Sequence, residues 1–128
     1  MRLRNTRHRL RRTAEFTSVR NHGKYINGGA FLLQVLKVPK QEGELIPARL
    51  GIIASRKIGH AVYRNRAKRV FREIFRRNQH LISDNVNIVI VVRKNYNQYS
   101  YNQLEDKFLD LCRKAGIKSQ VGQWKRLK

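Results

Sequence analysis

An α+β or α/β sandwich built on one mixed sheet is the fold class this sequence predicts. Three observations lead to it. Residues 30–38 (AFLLQVLKV) and 85–92 (NVNIVIVV) are apolar runs rich in strand-forming side chains. Residues 61–77 and 102–115 instead space their apolar side chains three and four apart, the helical period. The order is helix, strand, strand or two, helix, strand, helix, with no internal repeat, which suits helices layered on a shared sheet. At 128 residues the chain is one domain. That size suffices to bury roughly two-thirds of its unfolded surface.

Residues 1–12 carry Arg2, Arg4, Arg7, Arg9, Arg11 and Arg12 with no acid, and read as an extended basic arm. A short helix follows, with Thr13 expected as its cap, Glu15 complementing the dipole, Phe16 and Val19 on one face and Gly23 as its stop. Gly28-Gly29 marks a turn. Residues 30–38 and 48–55 (ARLGIIAS) are two strands, expected to form a hairpin across the polar connection 39–47. Residues 61–77 are the strongest helix, with an apolar stripe of Tyr63, Ala67, Val70, Phe71 and Ile74. Residues 85–92 are almost continuously β-branched, the pattern of a strand covered on both faces. The last helix, 102–115, aligns Leu104, Phe108, Leu111 and Cys112. Either Ser100 with Gln103 or Asn102 with Glu105 caps it, and Gly116 stops it. The folded core is therefore expected to span 13–116, followed by a basic, flexible tail at 117–128.

Charge narrows the function. Lys and Arg number 29 against 8 Asp and Glu, a formal net charge of +21. Such an excess strains the compact state by self-repulsion and suits a polyanionic partner. Nucleic acid leads, because neutralised phosphates release counterions. No apolar run approaches the roughly 20 residues of a membrane span. The basic N-terminus leads into no apolar signal segment. The single Cys112 fits a reducing compartment, so a cytoplasmic location and no membrane partner are expected.

The excess is concentrated. Nine basic residues and one acid, Glu73, lie between positions 56 and 77. Arg64, Lys68, Arg72 and Arg76 recur every four residues and stack on one helix face, flanked by Asn65 and Arg69. Each like-charge pair at that spacing costs an isolated helix about 0.2–0.5 kcal/mol. A merely solvated face would intersperse both signs, so this one reads as anion-binding, with arginine forks matched to phosphate. Only Arg69 has an acid four residues on, Glu73. The eight acids are scattered, and the four histidines lack metal-ligand spacing with Cys112 or each other. No phosphate-binding glycine-rich loop is present. No catalytic or metal-ligating residue is expected on the protein itself. Phe16 reads either as core or as a platform for an unpaired base.

The run SRKIGHAVYRNRAKRVFRE at 55–73 resembles the signature of the bacterial ribonuclease P protein family, centred on Arg64-Asn65-Arg66 with Lys68-Arg69 and Arg72. Arg9-Leu10-Arg11-Arg12, Glu15-Phe16, Val19 and His22-Gly23 are similar to that family's opening, and residues 88–94 (IVIVVRK) to its last strand. The resemblance implies one α–β sandwich of the α+β class. It implies three helices, a mixed sheet of about four strands and a left-handed βαβ crossover. It also implies a protein subunit of an RNA-based endonuclease that removes the 5′ leader of precursor tRNA. By position, Lys57, Arg64, Asn65, Arg66, Lys68, Arg69 and Arg72, with Arg9, Arg11 and Arg12 of the arm, are expected to contact RNA. Phe16 matches an aromatic of the leader-binding cleft. Arg20 and Gln34 stand where the family often has aromatics, which shifts that cleft from stacking toward phosphate contact. The implied partners are the catalytic RNA, one per monomeric protein, and precursor tRNA. No cofactor is expected on the protein alone, Mg2+ being held by the RNA.

Overall fold

The computed structural model describes residues 8–39 and 45–118. Helix α1 (Thr13–His22) leads into β1 (Lys24–Asn27), β2 (Phe31–Lys37) and β3 (Arg49–Ile53). Then follow α2 (Ala61–Asn78), β4 (Val86–Val92) and α3 (Tyr101–Lys114), with 3-10 turns at Arg56–Ile58, Gln79–Leu81 and Lys94–Gln98. The four strands form one mixed sheet in the order β1-β2-β4-β3. β1 with β2 and β2 with β4 run antiparallel, while β3 and β4 are parallel. The fold is thus α+β, three helices on a four-stranded mixed sheet.

The expected hairpin between 30–38 and 48–55 does not form, because β4 lies between β2 and β3. Six of β4's seven residues are buried, so it requires a partner strand on both edges and a layer on both faces. A β2–β3 hairpin would leave that strand at an edge. The sheet has the four strands the resemblance implies, but the position of β1 carries no strand signal in the sequence. β1 is short and mostly exposed, an edge strand held by its ladder to β2 and not by apolar alternation.

One sheet face carries the main core. Phe31, Leu33 and Val35 of β2, Ile88, Ile90 and Val92 of β4 and Leu50 of β3 pack beneath α2 and α3. Phe71 of α2 meets Phe31 edge-on, with ring centroids 5.0 Å apart. α3 buries Leu104, Phe108, Leu111 and Cys112 as its spacing required. α2 buries Ala67, Phe71 and Ile74, but also Phe75, and leaves Tyr63 50% exposed. Tyr63 departs from the stripe because the first turn of α2 packs on the 3-10 turn before it. Its ring carbon Cδ2 lies 3.1 Å from where a side chain on Gly59 would begin, and Gly59 has φ +138°.

The opposite face is thinner. Leu10, Val19 and Val89 are its buried centre, with Phe16, Leu36 and Val91 at its margin. The arm contributes from its last residues. Leu10 N donates to Leu50 O at 3.0 Å, so residues 9–10 run alongside β3. Residues 1–7 lie outside the described residues.

Helix ends follow local chemistry. Arg12, not Thr13, occupies the N-cap of α1, and the Glu15 carboxylate reaches back to cap it. Of the two candidate caps for α3, Ser100 and Gln103 form the reciprocal box, with bonds of 2.8 and 3.1 Å. Gly116 stops α3 at φ +76°. Ile117 is fully buried, its N–H donates to Cys112 O at 3.0 Å, and its carbonyl accepts from Ser83 N at 2.7 Å. The folded core therefore extends to Lys118, two residues past the expected boundary. The rest of the basic tail, with Trp124, lies outside the described residues.

Burial pushes the Cys112 thiol up to about 12. At pH near 8 its alkylation in the native protein is expected to be on the order of a thousandfold slower than in denaturant. Comparable rates would place Cys112 at the surface.

Candidate nucleic-acid interface

α2 is positioned by the turn before it. Ser55 Oγ accepts from Lys57 N at 3.3 Å, and Arg64 Nη1 donates to Gly59 O at 3.0 Å, so one expected RNA ligand also buttresses the loop. Lys57, Asn65 and Arg66 are exposed around this end, and the Arg66 guanidinium lies 5.8 Å from the Tyr63 ring centroid. Arg72 is eight residues beyond Arg64, about 12 Å along the helix.

Of the cations stacked on this face, Arg76 alone is in an ion pair among the described residues. Glu73 pairs with Arg76, at 3.1 and 2.6 Å, and not with Arg69. Arg77 reaches Glu105 at 3.9 Å, and Asp110 pairs with Arg113 and Lys114 on α3. Among the described residues, no ion pair involves Arg66, Lys68, Arg69 or Arg72.

The basic arm and α2 converge on a groove of about 540 Å3. Its cationic side is built from Arg9 and Arg11 of the arm and Lys68, Arg72 and Arg76 of α2. Its floor is β3, Leu50 to Ile52, and its far wall is Phe16. Gln79 hydrogen-bonds the His8 ring across one end and ties the arm to α2. Partial burial, then the Arg9 and Arg69 cations, hold the Arg72 guanidinium below its ordinary pKa. Three like charges are thus held together, and a bound anion relieves their repulsion.

Gly51 shapes the other wall. A side chain there would begin 2.4 Å from Phe16 Cε1 and Cζ, so the Phe16 ring rests directly on the β3 backbone. Phe16 is half-buried, part core and part open surface. Arg12 and Arg20 are exposed. Gln34 lies on the same sheet face as Phe16 but is only 5% exposed, between Tyr25 and Val89 in the register. It is sheet interior more than open surface.

Glu15 anchors the assembly. Its Oε1 accepts from Arg11 N at 3.0 Å and Arg12 N at 3.1 Å, and Oε2 from Arg49 Nη1 at 3.0 Å. Arg49 Nε in turn donates to Asn87 Oδ1 at 3.2 Å on β4. Beyond the resemblance, the sequence gives Glu15 only a dipole role and does not single out Arg49 or Gly51. An isolated glycine inside a strand pattern was the one available signal, since it marks a close approach. Among the described residues no group of three or more His, Cys, Asp or Glu gathers as a metal site. No helix there is long and apolar enough to cross a membrane.

The family model for ribonuclease P matches residues 5–116. The chain belongs to the ribonuclease P protein family. Ribonuclease P is a tRNA-processing ribonuclease. The chain is 36% identical to the ribonuclease P protein component of Halalkalibacterium halodurans over 110 residues, covering 86% of this chain and 89% of that one. It is 37% identical to that of Finegoldia magna over 110 residues, covering 86% and 92%. Among solved structures, the RNase P protein from Thermotoga maritima superposes with a TM-score of 0.71 at 33% identity, over 83% of this chain and 96% of that one. The Staphylococcus aureus RNase P protein, at 23% identity, shares the fold with a TM-score of 0.74 over 88% and 98%.

Burial raises the Glu15 pKa. The Arg12 and Arg11 amides and the Arg49 cation outweigh it, so the carboxyl lies below its ordinary value. A depressed carboxyl stabilises the fold above its unfolded pKa and loses that contribution as pH falls through the folded value. The stability difference between wild type and Glu15→Gln is therefore expected to be constant above about pH 5 and to shrink toward zero in acid. Denaturant unfolding at several pH values checks this. A gap unchanged down to about pH 2 would contradict it.

Proposed function

We propose that this chain is the protein subunit of an RNA-based ribonuclease P, binding the catalytic RNA and the 5′ leader of precursor tRNA. The observation that carries the reading is the acid-free cationic groove of Arg9, Lys68 and Arg72, with Phe16 on its far wall. Phosphates and an unpaired base are the ligands that suit such a pair of walls. The relatives named ribonuclease P protein component support it, since a component acts within a larger assembly. Lys57, Arg64, Asn65, Arg66 and Arg69, with Arg11 and Arg12, extend the RNA-contacting surface. Phe16 and Arg20 flank the leader.

In this reading the protein supplies binding and electrostatics, and the RNA supplies the chemistry. Affinity for the leader is affinity that mature tRNA lacks, so the protein discriminates substrate from product. Arginines repel Mg2+, and among the described residues no group of three or more His, Cys, Asp or Glu gathers to hold one. Its help reaches the metals by folding the RNA phosphates that hold them into a tighter site. One monomer per RNA serves this role, in the cytoplasm.

Reconstitution with the cognate catalytic RNA at low Mg2+ tests the reading directly. Added protein should restore leader cleavage, and the protein alone should cleave nothing. No gain on addition would overturn it. A companion variant, Phe16→Ala, is expected to lose about tenfold in affinity for leader-bearing tRNA and little for mature tRNA. Equal losses on both would make Phe16 core only.

A further inference from the structure

The leader-facing side of the sheet carries a second aromatic at a position the resemblance did not assign. Tyr25 of β1 pairs with Gln34 of β2, Gln34 with Val89 of β4, and Val89 with Gly51 of β3. In a sheet, residues directly opposite one another project from the same face. Tyr25 therefore stands on the α1 side, at one end of a row whose other end lies beneath Phe16. It is 50% exposed, whereas the neighbouring Gln34 is buried. Its hydroxyl donates to Arg20 O at 2.8 Å, which fixes the ring against the last turn of α1. The next row, Leu32, Val91 and Ile53, is apolar and partly exposed.

The geometry points to Tyr25 as a second stacking platform for an unpaired base of the leader, one strand outward from the position where Gln34 lies buried. The inference rests on the proposed leader binding and adds to it a residue and a spacing. Three inter-strand steps of roughly 4.8 Å separate β1 from β3, about 14 Å. That exceeds one stacked base step of about 3.4 Å several times over, so Phe16 and Tyr25 cannot hold one base between them. They take separate nucleotides, and the leader crosses the sheet over the apolar row of Leu32, Val91 and Ile53 beside them. Arg20 lies beside this path, where a phosphate between the two bases would meet its cation.

The test uses the holoenzyme reconstituted with its RNA and a nested series of precursor tRNAs with leaders of increasing length. Wild type should gain affinity in two separated steps as the leader lengthens. Tyr25→Leu should lose one step, about tenfold, on leaders long enough to reach it, and bind short-leader and mature tRNA as wild type does. Tyr25→Phe keeps the ring and should keep both steps. Phe16→Ala should remove the other step, and thermal melts of each variant confirm that it is folded. If Tyr25→Leu binds long leaders as wild type does, the inference is overturned. It is also overturned if Tyr25→Phe loses as much as Tyr25→Leu, since the hydroxyl bond would then be the contribution. If wild type itself gains nothing from any leader, the proposed leader binding fails and this inference fails with it.

Discussion

The Glu15 carboxylate joins the arm, α1 and β3. It accepts from two amides of the arm and from Arg49 of β3, and Arg49 carries the connection to Asn87 on β4. With 8 acids against 29 basic residues, each acid placed inside the fold counts. The bonds are charge-assisted and the groups partly shielded, so they exceed an ordinary surface ion pair. They set where α1 crosses the sheet. Phe16 then rests on Gly51, Val19 on Val89, and Leu10 of the arm on β3. Both the groove and the open sheet face depend on that placement.

The two sheet faces divide the work. The α2–α3 face holds most of the buried apolar side chains and so most of the stability. The α1 face has a small core and a partly exposed apolar and aromatic margin, the surface to which the proposed function assigns the leader bases. Along its edge, Arg9, Arg69 and Arg72 stand together unpaired. Their repulsion is tolerated because the main core is elsewhere, and in the proposed function phosphates in the groove would convert it into affinity. Glu105 and Asp110 of α3 pair with Arg77, Arg113 and Lys114, away from Arg9, Lys68 and Arg72.

Much of this was legible in the sequence, for local reasons. The four-residue recurrence from Arg64 to Arg76 and the α3 stripe are helix-surface patterns. The continuous run of β4 foretold a strand buried on both faces. The rest is set by long-range pairing. Whether β2 meets β3 or β4 depends on which strand needs the centre of the sheet, and hairpin reasoning sees only sequence neighbours. β1 has too little apolar pattern to announce itself. Glu15 and Arg49 are 34 residues apart, so the ion pair that organises the α1 face had no local signature. Tyr25 gained meaning only from its register with Gln34. Tyr63 had helical spacing yet lies on a turn instead of the sheet, because Gly59 makes room for its ring.

The central claim is that the unpaired cations where arm and α2 meet bind RNA phosphates. The most direct measurement is the salt dependence of affinity between the intact protein and the catalytic RNA, for wild type, Arg72→Ala and Arg113→Ala. Each phosphate contact contributes about 0.7–0.9 to the slope of log affinity against log salt. Arg72→Ala should flatten the slope by about one unit, while Arg113→Ala, whose cation is paired with Asp110 on α3, leaves it unchanged. A slope for Arg72→Ala as steep as that of wild type would contradict the claim and return the cationic groove to solvent.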